Sequence, residues 1–201
     1  MGTDWFRRTL KSPVEKAILE SFVSIETDLF SAQQAKIDAP LQNFTDNQSK
    51  NKIANQVRKA DPEETKTLRE RANLQHRLLV ALLSKKLKAN DIEPKFNTFI
   101  DLCCDSPQKL LFEVKSCNSE NQLEQIRKAI SQLYEYRYRH SDMKDSTLVL
   151  ALEEKPKMDW MVDYLVTDRN ISLCWLEGEE NLACPKACQE KLSLLVDRTE
   201  G

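Results

Sequence analysis

No run of about 18 consecutive apolar residues occurs in this 201-residue chain, so no membrane-spanning helix is expected. The start, Met1-Gly2-Thr3-Asp4-Trp5, lacks the basic-then-apolar order of a secretory signal, which makes a cytoplasmic location the expectation. A global basic field is also missing. Lys and Arg number 30 against 32 Asp and Glu, for a net charge of −2. Any contact with nucleic acid must therefore come from a local patch. The six cysteines offer one C-x3-C spacing, Cys184 and Cys188, but no second such pair to complete a four-ligand metal set. Cys117 and Cys174 would join such a set only by coincidence of folding. Buried reduced thiols account best for Cys103, Cys104 and Cys174, which lie in apolar runs. Internal repeats and low-complexity stretches are absent. With 40% apolar and 31% charged residues, the chain reads as soluble and globular, long enough for one domain with an added subdomain.

What is present divides into two parts, an N-terminal helical extension over 1–60 and a domain over 61–201. Ser12-Pro13-Val14-Glu15 is a capping box, and apolar residues from Val14 to Phe30 follow at helical spacing to about Ile37. That stripe is apolar enough for a homodimer or for docking on a larger complex. Asp38–Lys52 reads as a linker, and a short helix is expected over 53–60. Asp61-Pro62-Glu63-Glu64 starts a second helix that runs to about Lys88. Strands are expected near 97–103 and 109–116, a helix over 119–139, and a strand over 146–152. A short helix over 159–165, a strand over 171–176 and a last helix over 185–196 complete the order. This succession predicts a mixed α/β domain with helices packed on a central sheet.

Within it, three charged groups converge. Asp105-Ser106-Pro107-Gln108 has turn chemistry between two apolar runs. A hairpin closed there sets Asp101 opposite Glu113, with side chains on one face about 5 Å apart. Lys115, two positions on, shares that face, while Phe112 and Val114 point the other way. Two carboxylates that close repel unless a cation lies between them, and hard oxygen donors suit Mg²⁺. Glu113-Val114-Lys115 taken alone is more often the pattern of a solvated strand face; Asp101 at the matched position shifts the balance towards a site.

The helix that follows carries Gln125-Ile126-Arg127-Lys128-Ala129-Ile130-Ser131-Gln132-Leu133-Tyr134-Glu135-Tyr136-Arg137-Tyr138. With Ile100-Asp101 and Phe112-Glu113-Val114-Lys115-Ser116, and with the element order over about residues 61–176, the chain resembles the PD-(D/E)xK nuclease superfamily. Gln132 and Tyr136 match the Gln-x-x-x-Tyr signature of one of its branches. The resemblance implies a restriction-endonuclease-like fold, a mixed central sheet flanked by helices, to which the sequence pattern adds the N-terminal helical extension. It implies Mg²⁺, with Mn²⁺ as a substitute, held by Asp101, Glu113 and the backbone carbonyl of Val114. Lys115 would position or deprotonate the attacking water, and Gln132 and Tyr136 would orient it. The activity implied is hydrolysis of DNA phosphodiester bonds, by an endonuclease in preference to an exonuclease. Such an enzyme would serve in a restriction or anti-phage defence system, or in a repair complex. Two departures stand out. Ile100 replaces the family's proline, and His76 occupies the apolar stripe of the first core helix where the family often has a glutamate. His76 takes that part or is a satisfied core imidazole; Glu64 and Glu70 are lesser candidates. Arg127, Lys128, Arg137 and Arg139 are candidate phosphate contacts, or else a solvated face paired with Glu120, Glu124 and Glu135. The alternative is a catalytically silent nuclease fold that binds nucleic acid or docks a partner protein.

Overall fold

The computed structural model describes residues 40–44 and 62–196. The chain divides into two units, Met1–Ala39 and Pro40–Gly201, and the described residues all fall in the second. The helices expected over 12–37 and 53–60 lie outside the described residues.

Helix α1 spans Pro62–Lys88. Pro62 takes the first helical position, where a missing N–H leaves no bond unmade. Leu79, Val80, Leu83 and Leu87 recur at helical spacing and are buried. Lys85, Lys86 and Lys88 close the last turn, where positive charge complements the helix dipole. The helix stops because Asp91 turns into the left-handed region, at φ 58°, which lets the Ile92 N–H reach the Leu87 carbonyl at 3.1 Å. Asp tolerates that conformation and a β-branched residue does not. Asp91→Val is expected to lower the unfolding free energy by about 1–2 kcal/mol, read by urea denaturation.

Among the described residues the sheet has seven strands, in the order β1 to β7. They are β1 Gln42–Asn43, β2 Lys95–Phe96, β3 Leu102–Cys104, β4 Leu110–Lys115, β5 Thr147–Leu152, β6 Ile171–Glu177 and β7 Asn181–Ala183. β1 to β4 pair antiparallel, β4 to β6 parallel, and β7 returns antiparallel on β6. Helix α2, Gln122–Arg139, connects the parallel pair β4 and β5. Helix α3, Asp159–Asp163, runs on into a π turn over Tyr164–Asp168 and leads to β6. The domain is thus α/β with an open mixed sheet.

Helices on both faces explain why β4, β5 and β6 are near-continuous apolar runs rather than alternating ones. Leu110, Phe112 and Val114 pack in one core with the buried stripe of α1. Leu111 packs in the other, with Ile126, Ala129 and Leu133 of α2 and Met161 and Leu165 beyond it. Side chains alternate across the sheet, so Glu113 and Lys115 share the α2 side with Leu111.

Three expectations need correction. The segment 97–103 is not one strand. The buried Asn97 side chain accepts the Phe99 and Ile100 N–H groups at 2.9 and 2.7 Å, so the chain turns there and only Leu102–Cys104 enters the sheet. The stretch 38–52, expected as linker, contributes β1, and Phe44 just after it is buried. The last segment forms a short 3-10 helix at Lys186–Cys188 and then turns, instead of a helix to 196. Cys188, Leu192 and Leu195 fold into the core beneath α1, and Asn90 Nδ2 donates to the Leu194 carbonyl at 3.1 Å. Tertiary packing overrides the helical pattern there.

Candidate active site

The β3–β4 hairpin brings the first two acids together. Its register pairs Leu102 with Phe112 and Cys104 with Leu110, so the next position in the series sets Asp101 opposite Glu113. β3 begins at Leu102, which leaves the Val114 N–H beyond the end of the ladder. The Asp101 carboxylate takes that N–H, with Oδ2 at 3.0 Å. The same oxygen lies 3.2 Å from His76 Nε2 on α1. His76 therefore reaches the acid cluster rather than remaining inside an apolar stripe.

Glu113 is 2% exposed, which makes it a buried carboxylate in need of a compensating charge. Lys115 supplies it, its ammonium bonded to Glu113 Oε1. The ammonium also donates to Gln132 Oε1 at 2.8 Å. Gln132 in turn donates through Nε2 to the Tyr136 hydroxyl at 2.9 Å. Four residues apart on α2, Gln132 and Tyr136 share one helical face, and it overlies β4. Burial pushes the Tyr136 hydroxyl well above the ordinary phenol range, and the negative charges of Glu113 and then Asp101 push it further; the Gln132 bond acts in the opposite sense. The phenol is neutral at physiological pH and lies within the field of both acids.

Oxygen donors for a cation are the carboxylates of Asp101 and Glu113, joined by the carbonyl of Val114. In an extended strand a residue's N–H and C=O leave on the same side. The Lys115 carbonyl accepts Glu153 N at 3.1 Å on the β5 side, so Val114 presents its carbonyl towards Asp101. Among the described residues, no group of three or more His, Cys, Asp or Glu side chains is arranged to hold a metal ion. All six cysteines are free thiols. Burial pushes Cys103 up to about 12 and Cys104 and Cys184 up to about 11, which keeps them protonated and weakly nucleophilic.

The four basic candidates on α2 separate into two pairs. Lys128 and Arg139 lie on the flank next to Gln132. They pair with Glu124 and Glu135 at 2.6 and 3.0 Å, as i,i+4 surface pairs. Arg127 is turned about 140° from Gln132 on an ideal helix, and Arg137 a similar angle the other way. Arg137 stacks over the Tyr134 ring at 5.1 Å. Arg127 and Arg137 are therefore not brought to the acid cluster.

Sequence reading missed a further pair at the site's edge. Arg71 Nη2 bonds Glu153 Oε1 at 3.1 Å across 82 residues of chain. Glu153 directly follows β5 and donates its N–H to Lys115. Burial pushes its carboxyl up, and the Arg71 guanidinium draws it back. A pair so distant in sequence carries no spacing signal; an acid immediately after a buried parallel strand was the only hint. Compared with protein-family models, curated proteins and solved structures, the chain matches none.

Proposed function

We propose that this chain is a Mg²⁺-dependent nuclease that hydrolyses DNA phosphodiester bonds with a PD-(D/E)xK centre on a restriction-endonuclease-like fold. The observation that carries the reading is the continuous chain of contacts from His76 through Asp101 and Val114 to the strand bearing Glu113 and Lys115, and on to Gln132 and Tyr136. Its position also supports it, since ligands of parallel sheets gather at the carboxyl ends of the strands, where Lys115 ends β4. The order helix, antiparallel hairpin, helix, parallel strand agrees with the fold the resemblance implies.

The donor set fits a hard cation: two carboxylates and a carbonyl, leaving positions for water and phosphate oxygen. Mg²⁺ held by Asp101, Glu113 and Val114 would lower the pKa of water and neutralise charge on the phosphate. Lys115 places its ammonium where charge builds on the attacked phosphate. Glu113 and Gln132 fix that ammonium from two sides, and Tyr136 fixes the Gln132 amide. The phenol, held protonated, keeps this relay in one state across neutral pH.

One observation favours a second reading. Lys115 neutralises Glu113 directly, and a buried ion pair of this kind also suits a silent module that grips nucleic acid without cutting. Incubating supercoiled, linear and single-stranded DNA with Mg²⁺, Mn²⁺ or chelator separates the readings. Cleavage is expected with either cation and its complete loss with chelator. Binding with no cleavage under any cation would support the silent module.

A further inference from the structure

We propose that Arg71 anchors a phosphate of the nucleic-acid backbone beside the catalytic centre, an inference that rests on the nuclease reading and names the part of the substrate that α1 holds. Position makes the first argument. His76 on α1 meets Asp101 at the carboxyl end of β4, and Arg71, five residues earlier, lies about 7.5 Å further along the helix axis and is turned about 140° from it, towards the end of β5. There it meets Glu153, and one backbone hydrogen bond separates Glu153 from Lys115. Arg71 thus stands at the carboxyl end of β5, joined through Glu153 to the backbone of Lys115 at the end of β4.

Its state makes the second argument. The Arg71 side chain is 55% exposed, whereas Glu153 is 13% exposed. A guanidinium has five N–H donors in a planar fork, and the Glu153 contact engages Nη2. More than half of the side chain is open to solvent, and a guanidinium fork matches two phosphate oxygens at once. Glu153 fixes the guanidinium from below, so little freedom is lost when a phosphate arrives. With a net charge of −2, the chain needs such local cations to approach a polyanion.

The test measures binding of labelled duplex and single-stranded DNA to the full chain by fluorescence anisotropy, in chelator, over a range of salt concentrations. Arg71→Ala is expected to weaken binding about five- to tenfold and to reduce the salt slope by about one. Arg71→Lys, which keeps the charge but not the fork, should fall between. The simpler possibility is that Arg71 only neutralises Glu153, and that its loss acts by leaving that acid stranded. The double variant Arg71→Ala/Glu153→Gln removes the stranded charge, and the proposal expects the reduced salt slope to persist in it. Recovery of the parent's affinity and slope in the double variant, or an unchanged slope in Arg71→Ala, would overturn the role of Arg71 while leaving the nuclease reading intact. A parent chain that neither binds nor cleaves DNA would instead remove that reading and this inference together.

Discussion

Lys115→Ala is expected to lower Mg²⁺-dependent cleavage by about 10²–10⁴-fold, the range seen when a positioned cationic or proton-transferring group is lost. The same substitution acts on stability. It removes the ammonium from a Glu113 side chain that is only 3% exposed, and breaking a buried ion pair from one side costs about 3–5 kcal/mol. A loss of activity alone would therefore leave catalysis and unfolding confounded. Glu113→Gln/Lys115→Met resolves them, because it replaces both charges with neutral groups of similar volume. Urea denaturation should then return to within about 1–2 kcal/mol of the parent, with cleavage still absent. Retained cleavage in Lys115→Ala, or cleavage regained in the double variant, would leave Lys115 with a purely architectural part.

Asp101→Asn is the second large effect. The amide oxygen of Asn can still accept the Val114 N–H, now bonded at 3.0 Å, so the end of the hairpin is expected to hold. Stability should change by about 1 kcal/mol or less. The negative charge is lost, however, and with it one of the two anionic donors for a hard cation. Cleavage is expected to fall by at least about 10³-fold, and calorimetry should show the heat of Mg²⁺ binding reduced or gone. Asp101→Ala should match it in activity but cost about 1–3 kcal/mol more, since the Val114 N–H then loses its acceptor. Equal Mg²⁺ binding by parent and Asp101→Asn would exclude Asp101 as a ligand.

The hairpin register was legible because turn residues at 105–108 separate two apolar runs, and a one-residue slip would move every side chain of β4 to the other face. The shared face of Gln132 and Tyr136 was legible from helical spacing alone. The start of that hairpin was not, because the side chain of Asn97, rather than any apolar pattern, reverses the chain ahead of Asp101. Two-residue strands such as Gln42–Asn43 and Lys95–Phe96 are too short to show a period of two. Burial of Glu113 was hidden as well. β4 is covered on both faces, so the alternation that marks a wet side is missing, and only the placement of α2 shows which side chains it encloses. The spread of basic residues on α2 followed from composition, which counts charges without saying where round the helix they point.

Phe44 carries a practical corollary. Its ring stands edge-on to Phe96 at 5.6 Å, Lys88 lies over it at 6.0 Å, and the two residues ahead of it line the outermost pleat. A shortened version of the protein beginning at α1 would therefore lack a plug as well as a border. The vacated aromatic slot and the bared N–H and C=O groups of Lys95 and Phe96 would together invite self-association, so residues 40–44 belong with the α/β domain in any trimmed form.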